Sequence, residues 1–255
     1  MSDYSRDEMM TVAAARLLRD GQVCFVGIGL PSAACNLARL THAPDLVLIY
    51  ESGTIGTRPT VLPLSIGDGE LAETATCVIP LPDVFSDYLQ AGRIDVGFLG
   101  AAQIDRFGNL NSTVIGSYDK PKTRLPGAGG ATEIAAHARE VLIVMKATPR
   151  SFVKQLDFQT SGGLFAGRSQ SGARGRGPVV IVTDVGILNP RPESGEFALS
   201  ALYPGIPAEE AKAAVGWPLA VLPALETCEA PTAAELGALR ALEARTAAAH
   251  REPVR

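Results

Sequence analysis

The stretch Asp45-Leu-Val-Leu-Ile-Tyr-Glu-Ser-Gly-Thr-Ile-Gly56 decides the fold. Leu46 to Tyr50 is an unbroken apolar run of strand formers, the pattern of a strand buried on both faces in a parallel sheet. It stops at Glu51, and Ser52-Gly53 forces the backbone to turn. Ligands in open α/β sheets bind in the crevice beyond the carboxyl ends of the strands. A carboxylate leaving a hydrophobic strand at that place is either a reactive group or a structural acid that caps the turn by accepting backbone N–H bonds.

Working outward, strands and helices alternate. Ser5-Arg-Asp-Glu8 has capping-box spacing and opens a helix that Gly21 stops. Val23 to Val26 is a short strand running into Gly27-Ile-Gly-Leu-Pro31. The helix from Ser32 to about His42 follows. This glycine turn is a close-approach loop or a tight packing element. It lacks the third glycine of a dinucleotide fingerprint. Residues 54–83 are rich in Gly, Pro and Thr, with a strand expected over 75–79, and a short helix over 83–89 is closed by Gly92. Apolar strands are expected at 94–99, 110–115, 141–145 and 179–182, with two more around the turn at 187–202. Pro126-Gly-Ala-Gly-Gly-Ala131 opens a helix and offers N–H donors to an oxyanion or phosphate. The adjacent Lys120, Lys122 and Arg124 are a solvated charge run or an anion contact. Residues 161–177, rich in Gly, Ser and Arg, read as a flexible loop. Thr232-Ala-Ala-Glu235 is a second capping box. No repeat or break in composition divides residues 1–255, so the expectation is one open, mostly parallel α/β sheet domain flanked by helices, with a C-terminal helix over about 232–250.

Composition excludes several classes. With 46% hydrophobic and 20% charged residues in 255, the chain has ordinary globular proportions. A net charge of −4 leaves no footprint for nucleic acid or an anionic membrane. The four cysteines show no paired spacing and there are three histidines, so no zinc pattern arises. The polar, acidic start of the chain is unlike a signal peptide, and no apolar run approaches a membrane span. The expectation is a cytoplasmic protein with reduced thiols. There is no GxSxG, P-loop or HExxH pattern. A carboxylate at a strand end, two glycine turns and a polar Asn111-Ser112-Thr113 segment remain, a set able to attack an activated acyl group.

Four segments carry a resemblance: Val26-Gly-Ile-Gly-Leu-Pro31, Tyr50-Glu-Ser-Gly53, Gly100-Ala-Ala-Gln-Ile-Asp-Arg-Phe-Gly-Asn-Leu-Asn-Ser-Thr113 and Pro121-Lys-Thr-Arg-Leu-Pro-Gly-Ala-Gly-Gly-Ala131. Together they resemble the β subunit of family I CoA-transferases, in the glutaconate CoA-transferase branch, over the whole chain. Within that branch the chain is most similar to subunits acting on 3-oxoadipate. The resemblance implies that Glu51 is the nucleophile and that CoA moves from succinyl-CoA to 3-oxoadipate through a glutamyl-CoA thioester. It implies that Gly127, Gly129 and Gly130 hold the oxyanion, with Asn111 and Gly29 lining the pocket. It further implies no metal, no cofactor beyond the coenzyme A thioester substrate, and a partner in the form of a separate α subunit. The alternatives are a glutaconate or other 3-oxoacid transferase, a family hydrolase whose corresponding subunit lacks the glutamate, and a non-catalytic ligand-binding domain.

Overall fold

The computed structural model describes residues 3–164 and 168–250. The chain gathers into two compact units, Met1–Tyr88 with Ala230–Arg255, and Leu89–Glu229.

The first unit begins with α1 (Arg6–Arg16), β1 (Val23–Phe25), α2 (Leu30–Thr41) and β2 (Val47–Ile49). The expected capping box is formed: the Ser5 hydroxyl accepts from the Glu8 N–H and the Glu8 carboxylate accepts from the Ser5 N–H. Strands β1 and β2 pair in parallel, Val23 opposite Val47 and Phe25 opposite Ile49. Cys24, Leu48, Ile49 and Tyr50 are fully buried, as the unbroken apolar run requires. Then come β3 (Thr54–Ile55), α3 (Gly69–Glu73), β4 (Cys77–Val78) and α4 (Leu81–Asp83). Strand β4 lies within the expected 75–79. β3 and α3 are additions in a segment that reads as irregular, because two- and five-residue elements are too short to show a period. The helix expected over 83–89 starts earlier, in α4, and continues as a π-helical turn over Val84–Gln90. Gly92, at φ +73°, follows it.

In the second unit β5 (Val96–Leu99) precedes two small hairpins, β6 (Gln103–Ile104) with β7 (Leu110–Asn111), and β8 (Val114–Gly116) with β9 (Pro121–Arg124). Residues 110–115, read as one strand, are therefore two. The buried Asn111 side chain accepts from the N–H groups of Thr113 and Val114 and captures the chain in a turn. The unit continues through α5 (Ala131–His137), β10 (Glu140–Val144), β11 (Pro178–Val182), β12 (Gly186–Pro190), β13 (Phe197–Leu202), α6 (Ala208–Ala213) and β14 (Val221–Thr227). Strands β5, β10 and β11 pair in parallel, and β12 and β13 add antiparallel. α5 packs closely on β5 because Gly97 has no side chain: a Cβ there would stand 2.5 Å from Ile134 Cγ2. Strand β14 escapes the apolar pattern because nearly all of it is exposed at a sheet edge.

The 161–177 segment departs from its reading where it is described, residues 165–167 lying outside the described residues. The Arg168 guanidinium donates to the carbonyls of Gly163 (3.0 Å), Gly175 (3.3 Å) and Ala135. A Cβ on Gly175 would fall 1.8 Å from the Ala138 carbonyl oxygen. One arginine gathering carbonyls orders backbone that has little apolar surface of its own.

The chain returns to the first unit in α7 (Ala233–Ala249), again opened by the expected capping box. Leu236, Leu239 and Leu242 are its buried stripe, against α1 and α2. The architecture is thus a mostly parallel open α/β sheet flanked by helices, with antiparallel pairs at β2–β3–β4 and β11–β12–β13 and a parallel pair of β13 with β14. Among the described residues no helix is long and apolar enough to cross a membrane.

Candidate active site

Glu51 stands where its sequence context puts it, at the carboxyl end of β2 in the first unit. The Tyr50 carbonyl accepts from the Gly53 N–H (3.0 Å), and the Tyr50 N–H donates to the Thr54 carbonyl (3.1 Å). Glu51 and Ser52 are the two central residues of this turn. Gly53, at φ +102°, closes it as a bulge into β3. A Cβ on Gly53 would lie 2.0 Å from the Ile79 carbonyl oxygen, and the Ile79 N–H donates to the Gly53 carbonyl at 3.0 Å. No side chain fits between the turn and the strand beside it.

The turn is also held from below. Tyr50 is fully buried, and its hydroxyl shares a 2.7 Å hydrogen bond with Ser32 Oγ in the first turn of α2. Burial pushes the phenol well above its ordinary range, partly offset by that bond from Ser32, so it stays protonated. Asn36 donates to the Ser32 carbonyl at 2.9 Å, and Arg39 links Asn36 to the Pro59 carbonyl. Parallel pairing continues past the strands, the Val26 N–H donating to the Ile49 carbonyl at 2.9 Å. The Gly27–Pro31 turn and the Glu51 turn therefore leave the sheet side by side, with Gly29 at φ +79° as the N-cap of α2. Tyr50 and Ser32 were not among the site residues expected from sequence. The available signal was a tyrosine at the end of a buried strand, whose hydroxyl needs a partner.

The Glu51 carboxylate is half-exposed and makes no hydrogen bond or ion pair among the described residues. A turn-capping acid would accept backbone N–H groups; this one accepts none. Beside it, the hydroxyl oxygens of Ser52 and Thr54 are buried without a hydrogen-bond partner among the described residues.

The other expected residues lie in the second unit. Asn111 is fully buried and donates to the Gln103 side chain and the Val114 carbonyl, both at 2.7 Å. Together with the N–H groups it accepts from, its amide is engaged by the turn and by Gln103 on β6. Gly127 is linked twice to Ser112: its N–H donates to the Ser112 carbonyl (2.9 Å) and its carbonyl accepts from Ser112 Oγ (2.8 Å). That leaves the N–H groups of Gly129 and Gly130 without a hydrogen bond among the described residues. Positive φ at Gly127 (+102°) and Gly129 (+49°) shapes the loop before α5. The basic run lies on the β8–β9 hairpin. Arg124 is engaged with Tyr118, its guanidinium 4.9 Å from the ring centre, while Lys120 and Lys122 are exposed.

Comparison with known proteins gives the family. The family model described as coenzyme A transferase matches residues 7–213. The chain is 62% identical over 253 residues to the β subunit of the 3-oxoadipate CoA-transferase of Pseudomonas knackmussii, covering 98% of this chain and 97% of that protein. It is 36% identical to the β subunit of the glutaconate CoA-transferase of Acidaminococcus fermentans, over 94% of this chain and 92% of the relative. The crystal structure of that organism's glutaconate coenzyme A-transferase superposes with a TM-score of 0.87, at 35% identity over 93% of this chain and 94% of that one. The decarboxylase AibA/AibB shares the fold at a TM-score of 0.83 and 28% identity, over 95% of this chain and 96% of that one. With a strand-end carboxylate in a rigid turn and matches that run nearly end to end, the chain belongs to the coenzyme A transferase family.

Proposed function

We propose that this chain is the β subunit of a cytoplasmic CoA-transferase that moves CoA from succinyl-CoA to 3-oxoadipate, with Glu51 as the nucleophile. The observation that carries the reading is the Glu51 carboxylate itself, held at a strand end by a fixed turn and without a hydrogen bond or ion pair among the described residues. The 3-oxoadipate acceptor is supported by the name of the 62% identical relative, and the succinyl-CoA donor by the family resemblance. A carboxylate oxygen of Glu51 attacks the thioester carbon of succinyl-CoA, and the C–S bond breaks to give a mixed anhydride and CoA thiolate. The thiolate attacks the Glu51 carbonyl carbon, forming the glutamyl-CoA thioester and releasing succinate. A carboxylate of 3-oxoadipate then repeats the exchange in reverse and leaves as 3-oxoadipyl-CoA. Each step exchanges one acyl bond for another, so no resident cofactor or metal is required; coenzyme A enters as substrate. The N–H groups of Gly129 and Gly130 are the proposed donors to an anionic substrate oxygen, with Gly127 and Asn111 shaping the loops that present them. Gly29 shapes the turn beside Glu51. A separate α subunit completes the enzyme.

The test is to trap the intermediate. The enzyme co-expressed with its α subunit, given succinyl-CoA and no acceptor, carries CoA on Glu51. Borohydride converts that residue to an alcohol, and hydroxylamine releases CoA and leaves a hydroxamate, both visible by peptide mass spectrometry. Glu51→Ala abolishes transfer. Glu51→Asp, one methylene short of the attack distance of about 3–3.5 Å, loses on the order of 10²-fold in kcat. An unmodified Glu51 under turnover, or wild-type rates in Glu51→Ala, overturns the assignment. A higher kcat/KM for glutaconate than for 3-oxoadipate changes the substrate and leaves the nucleophile standing.

A further inference from the structure

The second unit holds a cavity of about 970 Å³ that contains none of the residues assigned to CoA transfer. Its lining joins apolar surface from Phe107, Leu164 and Pro190 to four arginines, Arg168, Arg174, Arg176 and Arg191. No aspartate or glutamate lines it among the described residues. In a chain of net charge −4 this is a local reversal of sign. A small-molecule pocket has roughly 300–1,000 Å³, apolar walls and a few convergent polar groups, and this cavity has all three. Solvated arginines ordinarily stand apart on an open polar face. Here they share a concave wall with apolar side chains.

The backbone that carries these arginines is fixed in advance. The Gly175 N–H donates to the Ala136 carbonyl and the Arg176 N–H to the Arg139 carbonyl, both at 2.9 Å, which staples residues 174–176 to the C-terminal end of α5. The turn between β12 and β13 is closed in the same way. The Arg191 N–H donates to the Glu196 carbonyl (2.9 Å), and the Arg191 carbonyl accepts from the Gly195 N–H (2.8 Å). Two of the lining cations have glutamate partners outside the lining, Arg176 with Glu140 at 2.7 Å and Arg191 with Glu193 at 2.6 Å. Arg174 is exposed and has no hydrogen bond or ion pair among the described residues. Four guanidiniums against two carboxylates leave positive charge for an anion to neutralise, and guanidinium binds phosphate or carboxylate through paired N–H donors. The cavity is also remote from the glycine loop within its unit. Gly175 packs on Ala136 and Ala138, whereas Gly129 and Gly130 precede the first turn of α5, and seven helical residues set the two ends about 10 Å apart.

We propose that this cavity is a second ligand site, for a small organic molecule carrying two or more anionic groups, phosphate or carboxylate, on an apolar body. The charge of the lining asks for the anionic groups, with the exposed Arg174 as the first anchor. Phe107, Leu164 and Pro190 ask for the apolar body, which covers them from water. The inference does not rest on the CoA-transfer reading and stands if that reading falls.

The test is calorimetric titration of the full chain with three probes: ADP as a phosphate source, phthalate as a carboxylate source on an apolar ring, and inorganic phosphate as a bare anion. ADP, phthalate or both bind saturably and more tightly than inorganic phosphate, and added salt weakens them. Binding of ADP alone supports the site in its phosphate form, and binding of phthalate alone supports it in its carboxylate form. Replacing both exposed arginines, Arg174→Gln with Arg176→Gln, weakens binding about tenfold or more, the worth of a lost charge-assisted hydrogen bond. Arg174→Gln alone, at a side chain with no partner to lose among the described residues, is the second variant should the double one fail to match the wild-type circular dichroism. Arg19→Gln, at an exposed residue of the first unit, and Glu51→Ala leave the affinity unchanged. No saturable binding of ADP or phthalate, inorganic phosphate binding as tightly as both, or an affinity untouched by the arginine variants overturns the site. A loss in Glu51→Ala as large as in the arginine variants places the anion at the transfer site and overturns it too.

Discussion

Gly53 fixes the shape of the turn that presents Glu51, through two independent constraints. Its φ of +102° is one that L side chains rarely adopt, and the Ile79 carbonyl oxygen occupies the place of a Cβ. Gly53→Ala is therefore expected to lose about 2–4 kcal/mol of stability, because backbone strain and a steric clash add. Urea unfolding checks this, and a loss under about 1 kcal/mol shows that the strand beside the turn yields easily. Tyr50 is the gentler probe. Tyr50→Phe removes one buried hydrogen bond and leaves Ser32 Oγ with only a long 3.5 Å approach from Asn36. A stability loss of about 1–2 kcal/mol is expected, together with a fall in transfer rate, since the same bond ties the nucleophile's strand to α2. Wild-type kcat in a Tyr50→Phe enzyme of reduced stability shows that the bond serves folding alone. Glu51 itself was legible from sequence because a charged residue interrupts an apolar run. Its supports were not: the Tyr50–Ser32 bond and the backbone contact between Gly53 and Ile79 join residues far apart in the chain and leave no local pattern.

At the scale of elements, α7 shows how a distant segment is tied down. Its leucine stripe supplies the apolar contact, and two ion pairs fix its position: Arg16 to Glu235 at 2.7 Å and Arg240 to Glu8 at 2.6 Å. Hydrogen bonds from Arg16, with further ones from Thr232, outweigh burial and hold the Glu235 carboxyl down to about 2; Glu8 is lowered chiefly by Arg240. A carboxyl whose folded pKa lies below its ordinary value of 4.5 contributes stability that is complete above that pH and fades as the pH falls toward 2. Wild type should therefore lose stability more steeply than Glu235→Gln between about pH 4.5 and 2, as read from the urea midpoint at each pH. Parallel curves for the two proteins contradict this account. The helix ends were readable because capping boxes are local. The strand break at Asn111 was not, since the sequence offers the same apolar–polar alternation whether or not the amide folds back on its own backbone.

At the scale of the molecule, the proposed enzyme needs a second chain. The purified chain alone is expected to show less than about a hundredth of the transferase activity of the αβ pair in a succinyl-CoA:3-oxoadipate assay, a loss comparable to misplacing a catalytic group. Full activity from the isolated chain removes the partner from the proposal. The shared fold of the AibA/AibB decarboxylase makes the wider point that related architectures host different reactions, so the chemistry follows the site residues. Sequence by itself determined the alternation of apolar strands and capped helices, the parallel pairing at the centre, and the place of Glu51 at a strand end, because each is written in neighbouring residues through periodicity, caps and interruption. Only the tertiary structure decided that the Glu51 carboxylate has no hydrogen bond or ion pair among the described residues, that Gly127 gives its N–H to Ser112, that the Asn111 amide is taken up by its own turn and by Gln103, and that β4 ends its sheet among the described strands. Those outcomes depend on which distant backbone groups and side chains meet, and hydrogen-bond satisfaction between residues far apart in the chain has no period to read.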